Sequence, residues 1–212
     1  MIVRSSMKLV VGLGNPGDFY EGNRHNAGVM ALKAFGEEKN LVFEKKVRLK
    51  AAVAVFMLES EKSLLALPLT FMNLSGTCVR RLLDYYKIVP RDMLVVYDDF
   101  HLPLGSLRIR ERGSSGGHNG MESVIREAGT DEFYRLRIGI GTEHFAKVKS
   151  LGDDAVSKFV LSNFSRAEKK VLKDVLPKAV HAIELFLGNR LNQAMNIYNT
   201  KVKSLADLEQ NS

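Results

Sequence analysis

One cysteine in 212 residues, Cys78, leaves nothing for an internal disulfide to form with, which fits a reducing compartment. It sits in "SGTCVRRLLDYY", where Val79, Leu82 and Leu83 recur at helical spacing, so it reads as a small core residue and not a nucleophile. No apolar run approaches the roughly 18 residues that a membrane-spanning helix needs. The opening "MIVRSS" before Met7 lacks the long apolar stretch of a secretory signal. Repeats, linkers and low-complexity tracts are missing as well. These absences predict one domain over residues 1–200 with a polar tail, "KVKSLADLEQNS", at 201–212. They also predict a cytoplasmic protein with no membrane partner. Acidic residues are the scarcer charge, 24 against 31 Lys and Arg, for a net charge of +7. An excess of that size favours a polyanionic partner, nucleic acid above all.

What is present is a regular alternation of short apolar runs and amphipathic stretches. "LVVGL" (9–13) and "MLVVYDD" (93–99) are unbroken, as central parallel strands should be. "AAVAVFML" and "SLLALP" flank the polar turn "ESEK" as a strand pair, and "SLRIR" and "LRIGIG" read as further strands. Helices are expected at "GVMALKAFGEEKN" (28–40), "SGTCVRRLLDYYKI", "GMESVIREAG" and from about Arg166 to Gly188. The last places Leu172, Leu176, Val180, Ile183 and Leu187 on one stripe, with Pro177 marking a kink or break. "DDAVSKFVLSN" reads as a loop. The pattern predicts an α/β fold: a three-layer sandwich whose twisted, mixed, mostly parallel sheet carries helices on both faces.

"GLGNPG" holds Gly12, Gly14 and Gly17 in the G-x-G-x-x-G spacing of a dinucleotide-binding turn. Such a turn opens directly into a helix. Here Pro16–Gly17 suits the centre of a type II turn, and "DFYEGNRHN" continues without a helical stripe. The acidic residue expected about 20 positions on has only Glu37, Glu38 and Glu44 to fill it, none of them well placed. No nicotinamide cofactor is expected.

Asparagine and histidine collect where elements begin and end: Asn15, "NRHN" at 23–26, "FMNLSG" at 71–76, "YDD" at 97–99 and "GGHNG" at 116–120. One such residue is ordinarily a cap or turn. Several together, in a fold whose ligands gather beyond the carboxyl ends of central strands, predict a shared site with "GNPG" beside "YDD". His25 lies off any apolar stripe and is the candidate general base. Asp98 or Asp99 would fix its tautomer, and the carboxamides would hold a carbonyl, an amide or a water. Two rivals remain: Ser115 of "GSSGG" in a G-x-S-x-G elbow, which lacks the apolar strand such an elbow needs, and metal hydrolysis through Asp98, Asp99 and His101, which lacks paired ligand spacing. In "SLRIRERG", Arg108, Arg110 and Arg112 fall on one strand face. Arg135 and Arg137 share that two-residue spacing. These arginines suggest phosphates beside the hydrolytic site. The lysines of the final helix read as a solvated face.

Taken in order, "VGLGNPGDFYEGNRHNAG", "PLTFMNLSG", "YDDFHLPLG" and "GSSGGHNGMESVI…FYRLRIGIG" resemble the signatures of bacterial-type peptidyl-tRNA hydrolases, collinear from about Lys8 to Asn192. The resemblance implies hydrolysis of the ester joining a peptide to the 3′ end of tRNA, by a metal-independent, cofactor-free and largely monomeric α/β enzyme. It also implies His25 as base, Asp98 as its orienting partner, and Asn15, Asn73 and Asn119 as positioning groups. Tyr20, Met72 and His118 would line the cleft, and Arg110 and Arg137 would contact tRNA. Two departures stand out: Asn23 where the family often has Thr, and His101 in "DFHLP" where an acid is common. A non-catalytic tRNA-binding protein of the same fold and a D-aminoacyl-tRNA deacylase are the alternatives.

Overall fold

The unbroken apolar runs form the middle of a sheet because residues on both of their faces are covered. The computed structural model describes residues 7–142, 148 and 150–199. Its strands are β1 (Lys8–Gly12), β2 (Glu44–Lys46), β3 (Ala51–Leu58), β4 (Glu61–Pro68), β5 (Met93–Pro103), β6 (Leu107–Arg110) and β7 (Tyr134–Gly141). They lie in the order β2-β3-β4-β1-β5-β7-β6. The four central strands run parallel. The pairs β2–β3, β3–β4 and β6–β7 are antiparallel, so "mostly parallel" holds for the centre and not for the whole sheet. One cause is the turn between β3 and β4, where Glu59 and Ser60 both take positive φ (48° and 69°). That is the two-residue hairpin geometry, which admits only antiparallel neighbours.

The helices are α1 (Ala27–Glu38), α2 (Ser75–Tyr86), α3 (Asn119–Ala128), α4 (Asp153–Val160), α5 (Arg166–Leu187) and α6 (Leu191–Tyr198). Val10, Leu65, Val96 and Leu136 face one core, closed by Leu32 and Phe35 of α1 and Leu172, Val180 and Ile183 of α5. Their neighbours Leu9, Val11, Leu64 and Val95 face a second core, under Val79 and Leu82 of α2 and Met121 and Val124 of α3. The molecule is therefore the expected three-layer α/β sandwich. Cys78 belongs to the second core, where burial pushes its thiol up to about 12, so it stays protonated and unreactive.

Three expectations need correction. "DDAVSKFVLSN" is not a loop: Gly152 turns at φ 91° and Asp153 and Asp154 occupy the first turn of α4, where carboxylates favour helix. Pro177 does not interrupt α5, which starts from a Ser165–Glu168 capping box and runs unbroken to Leu187. Pro177 is exposed, so the carbonyl it frees one turn back can turn to water. Pro16–Gly17 is not a type II turn: Gly17 has the positive φ, 100°, but a ψ of 153°, and a short 3₁₀ turn follows at Asp18–Tyr20. The 201–212 tail and the residues before Met7 lie outside the described residues.

Two glycines set how α1 meets the sheet. A Cβ on Gly28 would come within 2.2 Å of Val96 O and 2.7 Å of Leu13 N, and one on Gly12 within 2.5 Å of Gly28 O. The first turn of α1 thus rests main chain on main chain against β1 and β5. It is bonded there by Val29 N to Leu13 O at 3.2 Å, while Leu13 N in turn donates to Val96 O at 2.9 Å.

Candidate active site

The carboxyl ends of β1 and β5 are adjacent, with Gly12 in register with Val96, and "GNPG" and "YDD" meet there as expected. His25 lies in a 3₁₀ turn, Arg24–Asn26, that leads into α1. Its Nδ1 is 2.9 Å from Asp98 Oδ1 and 3.1 Å from Oδ2. Asp98 is 1% exposed, and His118 Nε2 reaches the same Oδ1 at 3.0 Å. One carboxylate is therefore shared by two imidazoles whose ring centres are 4.7 Å apart. Because Nδ1 of His25 is engaged with Asp98, Nε2 is the nitrogen left to take a proton from a water or substrate.

Burial works against charge on the His25 ring, but the Asp98 carboxylate, through its charge and its hydrogen bond, outweighs burial and holds the pKa above the ordinary imidazole value. Burial likewise opposes ionisation of Asp98. The charge of the His25 ring and the hydrogen bonds from both His118 and His25 overcome that and hold the carboxyl well below the usual carboxylate range.

Asn15 is fixed on three sides. Its N–H donates to Asn26 Oδ1 at 2.9 Å, its carbonyl accepts from Asn26 Nδ2 at 2.9 Å, and its Oδ1 accepts from Met72 N at 2.8 Å. With Oδ1 spent on Met72, Nδ2 is the half of the amide that can serve a ligand. A cavity of about 550 Å³ opens over these groups. Asn15, His25, Met72, Asn73, His118 and Asn119 all stand in its wall, joined by Phe71 and by Val156 and Leu161. Tyr20 does not line it: the ring packs edge-on against Phe71, centroids 6.5 Å apart, one layer out. Strand β5 is longer than read from the sequence, and Phe100 beyond "YDD" also borders the cavity.

A second cavity, about 230 Å³, shares Asp98 and His118 with the first and is walled by Arg110, Arg112, Arg135 and Arg137. Arg108 pairs with Arg137 and Arg110 with Arg135 across β6 and β7, so the arginines share a face. They are not equivalent. Arg112 lies past the end of β6. Arg135 is 2% exposed, stacks over Phe133 and donates to the Ser114 and Asp131 carbonyls, so it braces the loop. Arg137 pairs with Asp99, whose other oxygen accepts the His101 N–H at 2.8 Å. Arg110 is exposed. Ser115, the rival nucleophile, accepts from Gly117 N at 3.4 Å. The elbow reading gains no structural support, since the glycine-rich loop around Ser115 follows the edge strand β6 and not a buried central one.

Among the described residues, His25, Asp98 and His118 are the group whose donor atoms, all within 4.8 Å of one another, could hold a metal ion. In the structure these donors are turned on each other as a hydrogen-bonded chain and are not free ligands.

The comparisons with known proteins point to one family. The family model described as peptidyl-tRNA hydrolase matches residues 9–205. A relative named peptidyl-tRNA hydrolase from Desulfitobacterium hafniense (strain Y51) is 46% identical over 193 residues, covering 91% of this chain and all of the relative. One of the same name from Bacillus subtilis (strain 168) is 39% identical over 196 residues, covering 92% of this chain and all of the relative. The chain belongs to the peptidyl-tRNA hydrolase family. The crystal structure of the peptidyl-tRNA hydrolase from Acinetobacter baumannii has the same fold, with a TM-score of 0.84 at 30% identity over 92% of this chain and 96% of that one.

Within this member of the peptidyl-tRNA hydrolase family, the two departures have separate places. Asn23 is 2% exposed and bridges to Asn163, away from the cavity wall. His101 stands in the wall of the arginine cavity. Sequence reasoning missed two supports of the site. Asn26, visible as the last letter of "NRHN", locks Asn15 from behind. Arg24 is buried, donates bidentately to Glu168 at 2.8 Å and bonds the Ser162 and Asn163 carbonyls. It thereby ties the His25 turn to the start of α5. No residue pattern links positions 144 apart, so that contact had no signal in the sequence.

Proposed function

We propose that the protein hydrolyses the ester between a peptide, or an N-blocked amino acid, and the 3′ end of tRNA. One observation carries the mechanism: His25 stands in the cavity wall with Nδ1 held by Asp98, which leaves Nε2 as its base. Nε2 takes a proton from water as the oxygen attacks the ester carbonyl, Asp98 stabilises the imidazolium, and the imidazolium returns the proton to the departing ribose oxygen. No bond to the protein forms. Asn15, Asn73 and Asn119 supply neutral donors and acceptors for the peptide backbone and water. Arg110 and Arg137 face tRNA phosphates, with Arg137 held in place by Asp99. The partner is peptidyl-tRNA, and the protein works as a cytoplasmic monomer without metal or cofactor; no helix among the described residues is long and apolar enough to cross a membrane.

The test is cleavage of N-acetyl-aminoacyl-tRNA with EDTA present, beside free aminoacyl-tRNA. Cleavage of the blocked substrate alone supports this reading. Cleavage of the free one only would favour a deacylase, and binding without cleavage would favour a pure tRNA binder.

Two further outcomes are expected. Arg110→Ala weakens tRNA binding and lowers the slope of log affinity against log salt by roughly one unit; an unchanged slope removes Arg110 from the contacts. Since Asp98 raises the His25 pKa, the acidic limb of kcat/KM lies above the ordinary imidazole value of about 6.5, activity falling as pH drops through it. Asp98→Asn removes that charge, so the limb moves to lower pH while turnover drops. A limb that stays in place would separate Asp98 from the titrating base.

A further inference from the structure

His118 is 6% exposed, and both of its ring nitrogens are committed inside the protein. It is the N-cap of α3: its Nδ1 accepts the backbone N–H of Gly120 at 3.1 Å and of Met121 at 3.2 Å. A nitrogen that accepts two N–H groups cannot carry a proton. The ring's proton is therefore on Nε2, which points at Asp98 Oδ1 3.0 Å away. Protonating His118 would place an N–H against two backbone N–H donors and break the cap.

We infer that His118 is a positioning residue for the reaction: α3 fixes its tautomer, so that its Nε2–H is the donor that aims the Asp98 carboxylate at His25. This inference rests on the hydrolase reading above. It changes the meaning of a residue expected only to line the cleft. Without the His118 N–H, nothing on that side would fix which way the Asp98 carboxylate faces. The donor also withdraws part of the carboxylate's charge. It thereby limits how far Asp98 stabilises the His25 imidazolium and keeps more of the base in its neutral, proton-accepting form. The other charged or titratable groups around the pair are Tyr97, Asp99 and His101 on β5, Arg110 on β6 and Arg112 just past it, Arg135 and Arg137 on β7, Glu122 on α3 and Asp153 on α4. Asp98 itself is bonded to His25 and His118.

Two substitutions separate the halves of the ring. Asparagine places its Oδ1 where Nδ1 was and is itself a good N-cap, so His118→Asn keeps the cap and loses the donor. Glutamine carries an N–H out to the Nε2 position, so His118→Gln keeps a donor and loses the cap. His118→Asn is expected to melt at the wild-type temperature, to lose about tenfold in kcat with KM little changed, and to show an acidic limb of kcat/KM about half a unit higher. His118→Gln is expected to melt lower, yet to recover part of the lost turnover and return the limb toward its wild-type position. A His118→Asn protein with wild-type kcat and an unmoved limb, or one impaired only in KM, overturns the inference. Nitrogen NMR of the wild-type imidazoles provides a readout independent of turnover. At about pH 8 the His118 ring should carry its proton on Nε2 and none on Nδ1. A proton on Nδ1 there overturns the inference even if the protein is a hydrolase. A wild-type protein that cleaves no peptidyl-tRNA removes the functional reading while this tautomer result still stands.

Discussion

His25→Ala is expected to lower turnover by at least about 10²-fold, the lower end of what a positioned general base contributes. The ring is small, its Nδ1 is bonded to Asp98 and the residue stands in the cavity wall. Its removal therefore takes the proton acceptor away without disturbing the arginine cavity. Affinity for tRNA should stay near wild type, since the arginines proposed to meet its phosphates, Arg110 and Arg137, are on β6 and β7. Single-turnover cleavage of N-acetyl-aminoacyl-tRNA, with filter binding alongside, measures both. Wild-type cleavage by the variant would sink the assignment of His25. Weakened binding with intact cleavage would make His25 a substrate contact and not a base.

Arg24→Ala is expected to destabilise the fold by about 3 kcal/mol, the low end for breaking a buried ion pair. Burial raises the pKa of Glu168, but bonds from Arg24 and Ser165 outweigh it and leave the carboxyl below its ordinary value. Removing the guanidinium strands that carboxylate. It also strips donors from the Ser162 and Asn163 carbonyls and a cation from the faces of Phe159 and Phe164. The double variant Arg24→Ala/Glu168→Ala should lose less than the sum of the two single losses, because neither partner is left charged and alone. Chemical denaturation of the four proteins measures the coupling, and additive losses would show that the pair contributes little. Turnover of Arg24→Ala should fall too, because the Arg24 side chain ties the His25 turn to the Ser162 and Asn163 carbonyls and to Glu168.

The parts of the fold that rest on local periodicity were legible in the sequence. "LVVGL" and "MLVVY" announce strands buried on both faces, and Val10 and Val11 do point into opposite cores. β2 was not legible, because three exposed residues, Glu44–Lys46, carry no apolar signal. α4 was missed because its helix-forming tendency lies in Gly152 and two aspartates, and not in a long stripe. The site divides in the same way. His25, Asp98 and Asn15 could be assembled from polar islands at strand ends, since the topology of parallel strands brings those ends together. Which nitrogen of His118 bonds what, and that Arg135 braces the Ser114 loop where Arg137 pairs with Asp99, depend on side-chain partners in other elements. Spacing does not encode those.

The bare contact between Gly28 and the ends of β1 and β5 has a mechanical consequence. Side-chain joints have slack: a rotamer can change, a methyl can be traded for a cavity. This joint has none, because carbonyl and amide meet Cα directly. The distance from the turn that carries His25 to the strand that carries Asp98 is thus a property of the backbone. Substitutions around the cavity can retune its polarity or its preference among peptides, but none of them can lengthen or shorten that step without first prising the helix off the sheet.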